Sequence, residues 1–146
     1  MAWETEGRQL DLARLLKGTH ALLADSQRGF FIVAEHHERG LQRPVGQLMI
    51  TYEWSDWRNG MFWWVQSVYV DPAWRRKGIY RSMHQHIVEK AKTDPAVCGI
   101  RLYVEQDNQP AQTVYQRVGL APSGYRVYEQ DFVLPKTIDQ PHTRDR

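Results

Sequence analysis

Leu12, Leu15, Leu16, Leu22 and Leu23 recur at helical spacing within residues 8 to 24, which predicts one amphipathic helix. Gly18 interrupts that run at a cost of about 1 kcal/mol relative to alanine, so the apolar face has to outweigh it. Apolar runs at 30 to 34 and 45 to 52 come next, separated by the polar, Gly- and Pro-containing stretch 36 to 44. They read as two strands joined by a loop. Asn59 and Gly60 both tolerate positive φ and predict a tight reversal into a third strand over 61 to 70. Three sequential strands with short connections predict an antiparallel arrangement.

The pattern changes after Val70. Asp71 and Pro72 break the strand, and the basic turn Trp74-Arg75-Arg76-Lys77-Gly78 precedes Ile79, Met83, Ile87, Val88 and Ala91, spaced for a helix of about three turns or more. Turn residues at 93 to 97 lead to Ile100, Leu102 and Val104, which alternate with Arg101, Tyr103 and Glu105 as in a half-buried strand. Asp107 and Asn108 are suited to cap a further helix. Pro110 fits its first turn, Ala111, Val114, Tyr115 and Val118 form its inner face, and Gly119 stops it. Residues 125 to 134 alternate well enough for a last strand, and 135 to 146 form a polar tail. The expected organisation is an α/β domain over 1 to 134, a mixed and mostly antiparallel sheet flanked by helices.

Composition narrows the function classes. A chain of 146 residues has room for one core of ordinary size. Its formal net charge of +2, with both signs interspersed, offers no basic stripe for a nucleic acid, so no nucleic-acid partner is expected. No run approaches the roughly 20 apolar residues of a membrane span, and the opening MAWETEGRQL lacks the basic start and apolar stretch of a secretory signal. A cytoplasmic protein with no membrane partner is expected. The single cysteine, Cys98, has no internal disulfide partner and reads as a buried, inert thiol. His84 and His86 point apart on a helix, and His36 and His37 are adjacent in a loop, so no metal is expected.

Candidate chemistry concentrates after the third strand. A strand that feeds a glycine-containing turn opening directly into a helix gathers backbone N–H groups at the positive end of the helix dipole, which favours an anion. Arg75, Arg76, Lys77 and Arg81 add charge there, and Gly78 lets a ligand approach the main chain. Neither the GxxxxGK[ST] pattern of nucleotide hydrolases nor the GxGxxG spacing of dinucleotide folds is present. By itself such a turn is also what a solvated surface looks like.

Val68-Tyr69-Val70-Asp71-Pro72 followed by Arg75-Arg76-Lys77-Gly78-Ile79 resembles the acetyl-CoA motif of the GNAT superfamily of N-acetyltransferases, V-x-P-x-x-R/Q-x-x-G-x-G/A. Asn108-Gln109-Pro110-Ala111 with Tyr115, Gly119 and Leu120 is similar to that family's second motif, N-x-x-A-x-x-x-Y-x-x-x-G-F. The resemblance covers about residues 61 to 133. It implies acetyl-CoA as cosubstrate, its pantetheine arm alongside Val68, Tyr69 and Val70, and its pyrophosphate on the turn formed by Arg75, Arg76, Lys77, Gly78, Ile79, Tyr80 and Arg81. It also implies Asn108 and Ala111 beside the pantetheine or the end of the sheet, Tyr115 near the thioester sulfur, and a strand pair splayed to admit the cofactor. Arg76 stands where the family often has glycine. Tyr80 replaces the usual small residue, and its ring either crowds the phosphates or stacks outward along the cofactor. The family ordinarily starts with a strand and a helix ahead of the region matching residues 10 to 24, so the N-terminus reads as shortened or as able to dispense with that strand.

Direct transfer of acetyl to a primary amine requires a neutral nitrogen, a positioned thioester and a donor for the developing oxyanion. Tyr115 is the expected acid for the leaving sulfur, although its place on the same helical face as Ala111 and Val118 also fits packing alone. The stretch Val65-Gln66-Ser67-Val68 holds Gln66 where the family often has glutamate, so the base is unassigned; Gln66 can orient the amine or a water, with Glu53, Glu105 or a histidine beyond it. Glu53, Trp54, Asp56 and Trp57 combine carboxylates with aromatic faces and suit a cationic small-molecule or peptide amine. The same tryptophans equally suit core packing or a homodimer interface. A non-catalytic acyl-CoA-binding module is the alternative reading.

Overall fold

In the computed structural model, which describes residues 10 to 134, helix α1 (Leu12–Ala24) begins where the Asp11 carboxylate accepts hydrogen bonds from the amides of Ala13 and Arg14 at 2.9 and 3.3 Å. This cap satisfies donors the first turn leaves without helical partners, and it sets the start at the first leucine of the stripe. The predicted beginning at residue 8 lies outside the described residues, as does the predicted tail from 135. Of the leucines that signalled the helix only Leu22 is buried. Leu12 and Leu23 are 67% and 68% exposed, so the stripe that predicted the helix is largely not spent on the core.

Strands β1 (Gly29–Glu38), β2 (Leu41–Ser55) and β3 (Gly60–Val70) form an antiparallel series, and β4 (Val97–Leu102) joins β3 in parallel. The sheet order is β1-β2-β3-β4, a mixed and mostly antiparallel sheet flanked by α1, α2 (Ile79–Thr93) and α3 (Gln109–Arg117). The expected loop over 36 to 44 is instead a continued hairpin. His36, His37 and Glu38 pair with Arg43, Gln42 and Leu41, and Arg39 and Gly40, both at positive φ, make the reversal. A ribbon polar on both faces carries no alternation for sequence reading to find. At the next hairpin Asn59 takes positive φ as expected, but Gly60 does not. Glycine is needed at 60 because a Cβ there would lie 2.9 Å from that of Cys98.

The predicted last strand over 125 to 134 is absent. Those residues form no ladder and leave Tyr125, Val127, Tyr128 and Phe132 exposed, because alternation alone supplies no partner strand. β4 also differs from expectation: it begins at Val97, takes in Cys98 and ends at Leu102, before Val104.

One face of the sheet carries the core. Leu48 and Ile50 from β2 and Trp63 and Val65 from β3 pack on Met83, Ile87 and Ala91 of α2. The helix is pressed so close that a Cβ on Gly46 would meet Ile79 at 2.9 Å. The register puts Thr51, Glu53, Trp64, Gln66 and Arg101 on the opposite face. There Arg101 joins Glu53 at 2.7 Å and lies 3.5 Å over the Phe62 ring, whose edge occupies the space above Gly99. Among the apolar contacts of α2 lies one polar side chain, His84, only 4% exposed.

Burial lowers the His84 pKa below the ordinary value of about 6.5. A depressed imidazole contributes stability that is complete above pH 6.5 and is lost as pH falls towards its folded pKa, because only the unfolded chain takes up the proton readily. Chemical denaturation between pH 7.5 and 5 is therefore expected to show stability declining below about pH 6.5 by up to about 1.4 kcal/mol per pH unit. In His84→Gln that part of the slope should vanish; an unchanged slope would assign the acid sensitivity elsewhere.

Candidate functional site

β3 and β4 part company at their C-terminal ends. Their parallel pairing runs from Met61 with Val97 to Val65 with Leu102 and stops. β3 continues to Val70 against β2, whereas Tyr103, Val104 and Glu105 leave the sheet. Between the pairs Gln47 with Tyr69 and Met49 with Gln66, β2 has one residue, Leu48, and β3 has two, Ser67 and Val68. This is a β-bulge, with Ser67 at φ +49°. The bulge turns β3 away from β4 and leaves main-chain groups of residues 68 to 70 facing a gap.

That gap is a cleft of about 590 Å³ lined by Val68, Tyr69, Val70 and Arg75 on one side and by Glu105, Asp107, Asn108, Pro110, Ala111 and Tyr115 on the other. Eight residues singled out from sequence, Glu105 among them, thus meet in one cavity. Asp107 and Pro110, noticed only as helix-start residues, also line it. The Asn108 side chain caps α3 by accepting from the Ala111 amide at 3.1 Å, which fixes the helix end that carries Ala111 and Tyr115. Burial pushes the Tyr115 phenol above its ordinary value, so it keeps its proton at neutral pH.

Beside the cleft the chain turns through a short 3-10 segment, Pro72–Trp74, capped by Asp71, whose carboxylate also binds Arg43 at 2.9 Å. Arg75 donates from Nε to the Val70 carbonyl at 3.0 Å and folds back over the end of β3. Arg76 and Gly78 both adopt positive φ, at 61° and 82°, and Gly78 caps α2 with no side chain bonded to the first-turn amides. Those amides are open to an anion, and nothing lies within 4 Å of where a Gly78 Cβ would stand. Lys77 sits 4.8 Å over the Trp74 ring, which packs in turn on His36 of β1. Arg81 is exposed on the first turn, and Ile79 faces the sheet.

Tyr80 takes neither of the two positions expected for it. Its ring turns inward, 5.5 Å from the Tyr115 ring in an edge contact and 5.9 Å from His84. It neither stands among the turn's outward cations nor lines the cleft.

The candidate acceptor residues are split. Gln66 donates to the Thr51 hydroxyl at 2.6 Å on the face opposite α2. Glu53 is on the same face, but its carboxylate is engaged by Arg101 at 2.7 Å and by the Trp64 indole N–H. Trp54 alternates to the other face and is 59% exposed, so the fold does not bring it to Gln66. The bulge at Ser67 had no sequence signal, since serine is unremarkable in a strand. Among the described residues no three His, Cys, Asp or Glu side chains gather as metal ligands, and no helix is long and apolar enough to cross a membrane.

The residues present fit acetyl-CoA: an open strand edge for an amide-bearing arm, and a helix start with open amides and cations for a diphosphate. Comparison with known proteins agrees. The chain is similar to a possible acetyltransferase from Clostridium difficile 630, with 42% identity, 91% of this chain and 85% of that one covered, and a TM-score of 0.80. A probable acetyltransferase matches at 21% identity over 91% of this chain and 86% of its own, with a TM-score of 0.78. Glucosamine-6-phosphate N-acetyltransferase from Arabidopsis thaliana shares the fold at 14% identity, with 84% and 80% covered and a TM-score of 0.63. No curated protein matches. The family model described as the acetyltransferase (GNAT) family matches residues 2–120, and with the cleft and turn described above this places the chain in the GNAT acetyltransferase family, whose members move an acyl group from acetyl-CoA.

Proposed function

We propose that residues 1 to 134 form one catalytic unit that transfers acetyl from acetyl-CoA directly to a primary amine of a small molecule or peptide. The observation that carries this reading is the cleft between the diverging ends of β3 and β4, with Tyr115 on its wall. The open edge at Val68, Tyr69 and Val70 pairs with the amides of the pantetheine arm as an added strand would. Amides at the start of α2, with Arg75, Arg76, Lys77 and Arg81, hold the pyrophosphate. The two ends of the cosubstrate are thereby anchored, and its thioester is presented at the bulge.

At that point main-chain N–H groups released from the β3 ladder stabilise the developing oxyanion. Tyr115, protonated at working pH, donates to the departing sulfur. Gln66, held by Thr51, orients the incoming amine, and Glu105 on the cleft wall receives the amine proton through water. A cationic acceptor draws on Glu105 and Asp107 rather than on Glu53, which Arg101 already neutralises. The carboxamide of Gln66, where a carboxylate would serve as base, favours the second reading, a non-catalytic acyl-CoA-binding module. Release of CoA from acetyl-CoA across a panel of primary amines separates the two.

Calorimetry with CoA is expected to show binding that weakens about tenfold in Arg75→Ala, as loss of one charge-assisted contact predicts. Absence of any heat with folded protein would remove the reading altogether. Tyr115→Phe should lower kcat about 10- to 100-fold with little change in the KM for acetyl-CoA. Because burial raises the Tyr115 pKa, the wild-type rate should rise as the amine deprotonates and fall only above about pH 10; a falling limb well below that pH would give the proton to another group.

A further inference from the structure

Two buried polar atoms are left over by the reading above. The Tyr80 hydroxyl and His84 Nε2 are both enclosed and have no hydrogen-bond partner among the described residues. They stand one helical turn apart on the same face of α2, with the two rings 5.9 Å apart and the Tyr80 ring against Tyr115. A hydroxyl and an imidazole nitrogen buried without partners are costly, and phenylalanine and leucine would fill the same space without that cost. Polar atoms in such positions are ordinarily joined by internal water. Tyr80 is also the bulky exception in a motif whose relatives, by the resemblance drawn from the sequence, carry a small residue. Its ring is spent on an edge contact with the side chain that faces the cleft.

We propose that Tyr80 is a positioning residue for acetyl transfer: its ring buttresses Tyr115 at the cleft wall, and one internal water joining the Tyr80 hydroxyl to His84 Nε2 locks that ring in place. The proposal rests on the role given to Tyr115. The two halves of the device are separable, because the ring acts on Tyr115 and the bridged polar atoms act on the ring. Tyr80 touches neither the sulfur nor the amine, so its removal acts on the rate through the placement of another side chain and leaves the cosubstrate contacts of β3 and the turn intact.

The test combines turnover with a stability cycle, with CoA affinity by calorimetry as the measure of an intact site. Tyr80→Leu should lower kcat about tenfold or more while the KM for acetyl-CoA and the CoA affinity stay within about twofold, since a displaced catalytic group costs rate rather than binding. Tyr80→Phe, which keeps the ring edge, should retain kcat within about threefold. In thermal unfolding at pH 7.5, Tyr80→Phe and His84→Leu should each lower Tm by a few degrees, and the double variant should lose no more than the worse single one, because either change breaks the same bridge. Single variants that raise Tm would show that the atoms share no water and would overturn the bridge. Full kcat in Tyr80→Leu beside an impaired Tyr115→Phe would overturn the buttress, whereas full kcat in Tyr115→Phe itself would bring down the acid assignment on which both rest. Should Tyr80→Leu fail to fold, Tyr80→Met supplies the same comparison, with the same outcome deciding.

Discussion

The arrangement depends on a failure of pairing. A strand inside a sheet normally keeps a neighbour along its whole length, because an unpaired backbone amide in a sheet interior is costly. Here the ladder between β3 and β4 ends at Val65 and Leu102 while β3 goes on for several residues. The bulge at Ser67 and Val68 makes this tolerable by re-aiming β3 while keeping Tyr69 and Val70 paired with β2. The edge released by the divergence is a run of hydrogen-bonding groups that a ligand with its own amides can satisfy. The turn at Arg76 and Gly78 and the cap at Asn108 extend that edge on either side, one presenting the start of α2 and the other the start of α3.

Much of this was legible in the sequence, for identifiable reasons. The helix over 79 to 93 and the strands that form the core announce themselves because each buries one face, so the period of the apolar residues reports the element. The helix at 109 to 117 was legible from its cap and its proline. What escaped are features without a period. The hairpin extension at 36 to 43 is polar on both faces, and the end of β4 is set by its neighbour's bulge rather than by anything in Tyr103 or Val104. The apolar alternation at 125 to 134 misled in the other direction, since a strand exists only with a partner.

For the site, sequence and structure coincide where the main chain does the work and part where side chains have a choice of face. Val68, Tyr69, Val70, Arg75, Asn108, Ala111 and Tyr115 line one cleft because strand order and two helix starts force them together. Glu53 and Trp54, adjacent in sequence, go to opposite faces, and the carboxylate that suggested a cation site is already bound by Arg101. Tyr80 could not be placed from sequence because its orientation depends on Tyr115 and His84, which reach it from another helix and from the next turn of its own.

The Arg101 guanidinium lies 3.5 Å over the centroid of the Phe62 ring and bonds Glu53, and that of Arg58 lies 5.0 Å from the same ring centroid. This stack spans β2, β3 and β4 on the paired side of the point where β3 and β4 part. It behaves as a rivet: strands clamped at one end and bent apart at the other form a fork whose tines cannot close by sliding. The opening is thereby part of the resting shape, and a guest entering it does not have to prise a sheet apart.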